Sequence, residues 1–322
     1  MPRPILLFTG PFADRPLEEL VGKASEWGYA GLELATWGDH LEIQRAAADS
    51  DYCQAKLDLL ARHELQAAVL GAFRVSTAVC DVIDQRHELI LPDYVWGDGD
   101  PTGVQERAAE EMMTVARVAE KLGVGTVSGF FGSPMWSWAT GWPGASPEMI
   151  ANGLEQVVET WMPILDVFRD CGVRFAYEVH PGQVAFDLYS AEMLLDAFDN
   201  REEFGFTFDP SHFLWQGIDP AEFIHHFASR IYHVHVKDAS VTLNGRAGLL
   251  TGYYPSGDRR RGWQFRSPGH GGVDWEGFIR ALNRTRYDGP LSVDWHDPDM
   301  DRDYGAEDAC KFVQRLDFEP RV

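Results

Sequence analysis

Apolar residues along the chain come in short, nearly unbroken runs, each followed by a longer stretch where they return every three or four positions. The runs are Ile5 to Phe8, Gly31 to Ala35, Gln66 to Leu70, Thr126 to Phe131, Phe175 to Val179, Phe204 to Phe208, Ile231 to Val236 and Leu291 to Val293. Runs of this kind predict strands buried on both faces, as in a parallel sheet covered by helices. The stretches between them predict amphipathic helices: Leu17 to Trp27, Tyr52 to Glu64, Glu106 to Leu122, Met149 to Arg169, Ala191 to Phe198, Ala221 to Phe227 and Trp275 to Thr285, with a last one near Glu307 to Leu316.

Eight such pairs predict one α/β domain over residues 1–322, a (β/α)8 TIM barrel. That architecture needs about 250 residues. The surplus falls into insertions after strands three, four and seven, at Val75 to Gly103, Ser133 to Pro147 and Ala239 to Gly272, each rich in Gly, Pro and aromatic residues. An open, doubly wound sheet is the rival arrangement, but Gly10-Pro11 after the first strand does not continue into G-x-G-x-x-G.

Reactive groups of a barrel stand at the C-terminal ends of its strands. Strand five ends Tyr177-Glu178-Val179-His180, and strand six Phe208-Asp209-Pro210-Ser211-His212. Strand seven ends His235-Val236-Lys237-Asp238, and strand eight Val293-Asp294-Trp295-His296-Asp297. Glu178, Asp209, His235 and Asp294 therefore converge on one mouth. Carboxylates with one imidazole suit a divalent ion such as Mn2+, Mg2+, Co2+ or Zn2+, and the oxygen-rich set favours Mn2+. An ion-paired barrel rim is the alternative reading of the same residues.

Charge narrows the function. A net charge of −22 repels polyanions and argues against a nucleic-acid partner. Cys53, Cys80, Cys171 and Cys310 lie far apart with no C-x-x-C, so neither a cysteine zinc cluster nor a dithiol motif is expected. No apolar run approaches the roughly 18 residues of a membrane span, and Met1 to Phe8 lacks a signal core, so a cytoplasmic location is the expectation.

The segments Tyr177-Glu178-Val179-His180-Pro181-Gly182, Phe208-Asp209-Pro210-Ser211-His212-Phe213, His235-Val236-Lys237-Asp238 and Asp294-Trp295-His296 resemble motifs of the xylose-isomerase-like superfamily of sugar isomerases and epimerases. The resemblance runs from Gly28-Tyr29-Ala30-Gly31-Leu32-Glu33 to the last helix. It implies Glu178, Asp209, His235 and Asp294 as metal ligands, with His212 beside the metal as a substrate or water ligand. The family usually has Glu where Asp294 stands, one methylene longer. Either the ion sits closer to that strand, the carboxylate acts through water, or His296 replaces it. A second departure is Gly269-His270-Gly271-Gly272, where the family carries an acidic residue between glycines.

Further candidates follow from position. His180 shares a strand face with Glu178, and Lys237 with His235. Lys237 could stabilise an enolate oxygen or pair with Asp238. Glu33 is a hydrogen-bonding group for sugar hydroxyls or a structural acid of the barrel. Trp136, Trp138 and Trp142, then Tyr253, Tyr254 and Trp263, lie in insertions that should cover a ligand or another subunit. Arg246, Arg259, Arg260, Arg261 and Arg266 read as an anion clamp or as a solvated loop.

A divalent ion, an acid or base pair, and His and Lys side chains suit proton removal α to a carbonyl, hence sugar isomerisation or epimerisation. Glu178 leads as the proton-transfer group, with Asp294 opposite. The absence of a phosphate-cradling Gly loop after strands seven and eight favours an unphosphorylated sugar. The resemblance also embraces C-glycoside deglycosidases, which eliminate the aglycone of a 3-oxo-glycoside and work with a small β-rich partner; a homo-oligomer is the other assembly expected. Endonuclease IV shares the barrel but needs further His at strands three and four, where Gly71-Ala72-Phe73 and Gly129-Phe130-Phe131 stand. A metal-stabilised, non-enzymatic sugar-binding subunit completes the alternatives.

Overall fold

The structure is a computed structural model describing residues 2–250 and 252–319; Met1, Thr251 and residues 320–322 of the expected 1–322 domain lie outside it. Eight parallel strands close a barrel, each hydrogen-bonded to the next and the last to the first: β1 (Ile5–Phe8), β2 (Gly31–Ala35), β3 (Gln66–Gly71), β4 (Thr126–Gly129), β5 (Arg174–Glu178), β6 (Phe204–Phe208), β7 (Ile231–Val236) and β10 (Leu291–Val293). Helices separate successive strands, so the fold is the TIM barrel the alternation predicts. Every residue of β1, β2, β6 and β10 is buried, which explains why these strands read as continuous apolar runs.

Local chemistry sets the helix ends. Leu17, Leu20, Val21, Ala24 and Trp27 form the buried face of helix Leu17–Trp27, which stops at Gly28 with φ 93°. Helix Pro101–Leu122 begins earlier than its apolar periodicity suggests, because Asp100 caps Gly103 N–H at 2.9 Å and Pro101 fits the first turn.

The chain divides into two compact units whose boundaries pass within β2, β3 and β6. One comprises residues 1–34, 57–68 and 208–322. It holds β1, β7 and β10, with Leu291 opposite both Ile5 and Val234 in parallel register. The insertion after strand seven, expected as a loop, contains an antiparallel hairpin of β8 (Asp238–Val241) and β9 (Trp263–Arg266), two strands too short to signal themselves by alternation. The other unit comprises residues 35–56 and 69–207. Its core is aromatic: Phe131 stacks on Trp161 with centroids 4.2 Å apart and on Phe175 at 5.3 Å, and Trp161 Nε1 donates to the Phe131 carbonyl at 3.0 Å. The insertion after strand three folds into short helices, Phe73–Ser76, Gln85–Glu88 and Asp93–Trp96. Among the described residues no helix is long and apolar enough to cross a membrane.

Candidate functional site

Asp209 follows β6 and caps helix Pro210–Gln216, which the sequence reading left as the end of a strand. Its Oδ1 accepts from Ser211 N at 2.8 Å and Ser211 Oγ at 2.7 Å. That fixes the carboxylate so that Oδ2 lies 3.3 Å from His212 Nε2 and 3.5 Å from Lys237 Nζ. Asp209 and His235 offer donor atoms within 4.8 Å of one another, both fully buried.

His235 is held from its other side. Glu33 Oε2 accepts from His233 Nε2 at 2.8 Å, His235 Nε2 at 3.0 Å and Ser292 Oγ at 2.7 Å. Burial opposes the Glu33 charge, but the fields and hydrogen bonds of His235 and His233 outweigh it and bring the pKa down to about 2. An ionised carboxylate only accepts, so both imidazoles turn an Nε2–H towards it, which orients the His235 ring. His233 and Ser292 were not singled out from the sequence; alternation along β7 puts His233 on the same face as His235, and that was the available signal.

This arrangement has a measurable pH signature. The ordinary value for Glu33 is 4.5. A folded value near 2 means that its ionised form contributes about 3 kcal/mol to stability above about pH 4.5, lost as pH falls towards 2. Glu33→Gln should flatten the dependence of unfolding free energy on pH across that window in denaturant titrations. An unchanged slope would contradict the assignment.

Lys237 takes a partner other than the one its sequence suggests. Its Nζ lies 2.6 Å from Asp294 Oδ2, as expected where consecutive residues of an extended chain point to opposite sides and carry Lys237 away from Asp238. Burial works against the Asp294 charge, yet Lys237 and His296 hold its pKa well below the usual carboxylate range; His296 Nε2 is 3.1 Å from Oδ1. Asp238 instead gathers five donors: Ala239 N, Gly269 N, Gly271 N, Val273 N and Trp275 Nε1, at 2.8 to 3.1 Å. The glycine motif is shaped around it, since a Cβ on Gly271 would meet Asp238 Oδ1 at 2.2 Å. His270, where the family carries an acid, pairs with Asp308 at 2.9 Å on the surface.

The hairpin contributes Phe265, which sequence reasoning missed. Its ring lies 4.4 Å from Lys237 Nζ, edge-on to His212 at 5.5 Å and 5.9 Å from His296. Trp263 stacks on Trp215 at 4.6 Å, joining the hairpin to helix Pro210–Gln216.

Glu178 ends β5, buried, with Thr207 as its register partner on β6. His180 is half-buried, its ring 5.2 Å from Phe130, and offers a ligand atom within 4.8 Å of one on Glu178. Trp136 packs edge-on against Phe186 at 5.3 Å, Trp138 lies against Gly153, and Trp142 is 96 % exposed. Arg266 is neutralised by Asp297 at 3.0 Å and Asp299 at 2.8 Å. Arg260 pairs with Asp258, and Arg261 donates to the Tyr254 carbonyl. Arg246 and Arg259 are exposed and, with Arg260 and Tyr254, line a surface hollow of about 550 Å³.

Known proteins share this architecture. The chain is 27 % identical over 190 residues to the uncharacterized protein YfiH of Bacillus subtilis, covering 56 % of this chain and 60 % of the relative. It is 26 % identical over 151 residues to an inosose dehydratase of Clostridium botulinum, covering 45 % of this chain and 46 % of the relative. The matched segments thus span about half the length of these curated relatives. The crystal structure of the 3-keto-D-glucoside 4-epimerase YcjR from E. coli superposes with a TM-score of 0.68 over 97 % of this chain and 99 % of the other, at 14 % identity. Residues 21–316 match the xylose isomerase-like TIM barrel family, and the chain belongs to it.

Proposed function

We propose that this protein is a divalent-metal-dependent sugar isomerase or epimerase that removes and returns a proton α to the carbonyl of a ketose or oxidised sugar. The observation that carries the reading is the buried set formed by Asp209, His235 and the Lys237–Asp294 ion pair at the C-terminal ends of adjacent strands. Glu178, Asp209 and His235 would hold the ion; Glu178 sits opposite Thr207 on β6, two residues before Asp209. Buried carboxylate and imidazole donors fit Mn2+, Co2+ or Zn2+ better than Mg2+, which prefers oxygen and retained water.

When bound, the ion polarises neighbouring carbonyl and hydroxyl oxygens and lowers the cost of an enediolate. Glu178 moves the proton. Asp294, with its pKa far below neutrality, is a weak base and serves instead to aim Lys237, whose ammonium faces the charge growing on the substrate oxygen. His212, tied to Asp209, binds a substrate hydroxyl, and Phe265 covers Lys237 from solvent.

A second reading, elimination, is favoured by the relatives named as inosose dehydratases. The same proton abstraction leads there to loss of water, or of an aryl aglycone from a 3-oxo-C-glycoside. One experiment separates the outcomes: metal-loaded protein is incubated in D2O with ketohexoses and 3-oxo-glycosides and followed by NMR and ultraviolet absorbance. Deuterium at the α carbon with a new epimer or aldose supports the first reading. An enone or released aglycone supports the second. No deuterium exchange with any of these substrates, at stoichiometric metal, would sink both.

A further inference from the structure

A cavity of about 300 Å³ opens among the segments that follow β2 and β3. Thr36 and Trp37 come directly after β2, and Arg74 lies in the short helix after β3. These are C-terminal strand ends, where barrel enzymes place substrate-binding groups.

Several polar side chains of this cavity are engaged with one another or with the fold around it. Thr36 Oγ1 donates to the Gly71 carbonyl at 3.2 Å. Glu42 and Arg45 pair with each other at 3.5 Å. Tyr94 Oη donates to Glu111 Oε1 at 2.5 Å, and Gln44 Nε2 to the other Glu111 oxygen. The Arg74 guanidinium, among the described residues, makes no ion pair and no hydrogen bond; its one contact of that kind is the Trp37 ring, 4.7 Å away. Burial alone acts on it and lowers its pKa.

A half-buried cation with no acid beside it is costly. The guanidinium carbon lies over the Trp37 ring, 4.7 Å from its centroid, and guanidinium N–H groups match carboxylate and phosphate oxygens two at a time.

We propose that Arg74, beside Trp37, is the receptor for the carboxylate or phosphate of a small anionic sugar that enters this cavity. This rests on the proton-abstraction reading for the sugar's identity as a ketose, but the anion site stands on its own geometry.

The test uses metal-loaded full-length protein and isothermal calorimetry with D-fructuronate, D-fructose 6-phosphate and D-fructose. The native protein should bind at least one anionic sugar at least about tenfold more tightly than D-fructose, and whichever arm does so distinguishes carboxylate from phosphate. Arg74→Met should erase that advantage while D-fructose affinity and metal content stay unchanged, and Arg74→Lys should restore part of it. Equal affinity for all three, including no detectable binding of any, overturns the proposal, as does an advantage that survives in Arg74→Met. Anion preference without deuterium exchange on any ketose would defeat the catalytic reading alone; exchange without anion preference would defeat the Arg74 site alone.

Discussion

Asp209→Asn should leave the protein folded but strip it of its divalent ion and lower turnover at least about 1,000-fold, the scale of several kcal/mol of charge stabilisation. The substitution is nearly isosteric, and the amide oxygen can still accept from Ser211 N and Oγ as Oδ1 does now. The change falls on the other oxygen, which faces His212 and Lys237. An amide NH2 there repels both a cation and the lysine ammonium. Metal per chain after gel filtration, measured by elemental analysis beside circular dichroism, checks the result. Stoichiometric metal in Asp209→Asn would remove this residue from the site, and His235→Ala, which deletes the imidazole, should give the same loss independently.

Asp238→Ala should produce the largest loss of stability of any single acidic residue here, about 4 kcal/mol or more by denaturant unfolding. Asp238 is 1 % exposed and accepts from four backbone amides and an indole. Removing it strands several buried donors at about 1–3 kcal/mol each, partly relieved by local relaxation. Asp238→Asn, which keeps the shape but offers one acceptor oxygen instead of two, should fall between. A change below about 1 kcal/mol in the Ala variant would mean that the donors find water at no cost and that the clasp is not structural.

How far the molecule could be read from its sequence depends on the range of each interaction. Strands such as Phe204–Phe208 and helices such as Trp275–Thr285 declare themselves because burial imposes a period on neighbouring residues. Asp209, His235, Lys237 and Asp294 were legible as strand-end residues because barrel topology brings such ends together. Partner choice was not. Glu33 meets His233 across 200 residues of sequence, and nothing local in Gly31–Ala35 announces that bond. Phe265 sits on a four-residue strand inside an insertion whose aromatic content pointed equally to Trp263, Tyr253 and Tyr254. Of these, Trp263 became a stacking joint, Tyr253 is fully exposed, and Phe265 alone reaches Lys237. The Lys237 pairing was within reach of elementary geometry, since adjacent residues of an extended segment do not share a side.

The Asp238 clasp binds both ends of the hairpin insertion, Ala239 at its start and Gly269, Gly271 and Val273 at its close. With its two ends fixed to one buried carboxylate, the chain between them is an interchangeable cassette. Its length is nearly free to vary, since doubling a closed loop costs only about 0.6 kcal/mol in chain entropy. Its tip can be rewritten without disturbing β7 or the residues that follow the clasp. The groups proposed to hold the ion and move the proton are thereby separated from changes at the hairpin tip, while Phe265, which packs against Lys237 and His212, is the position through which the insertion acts on them.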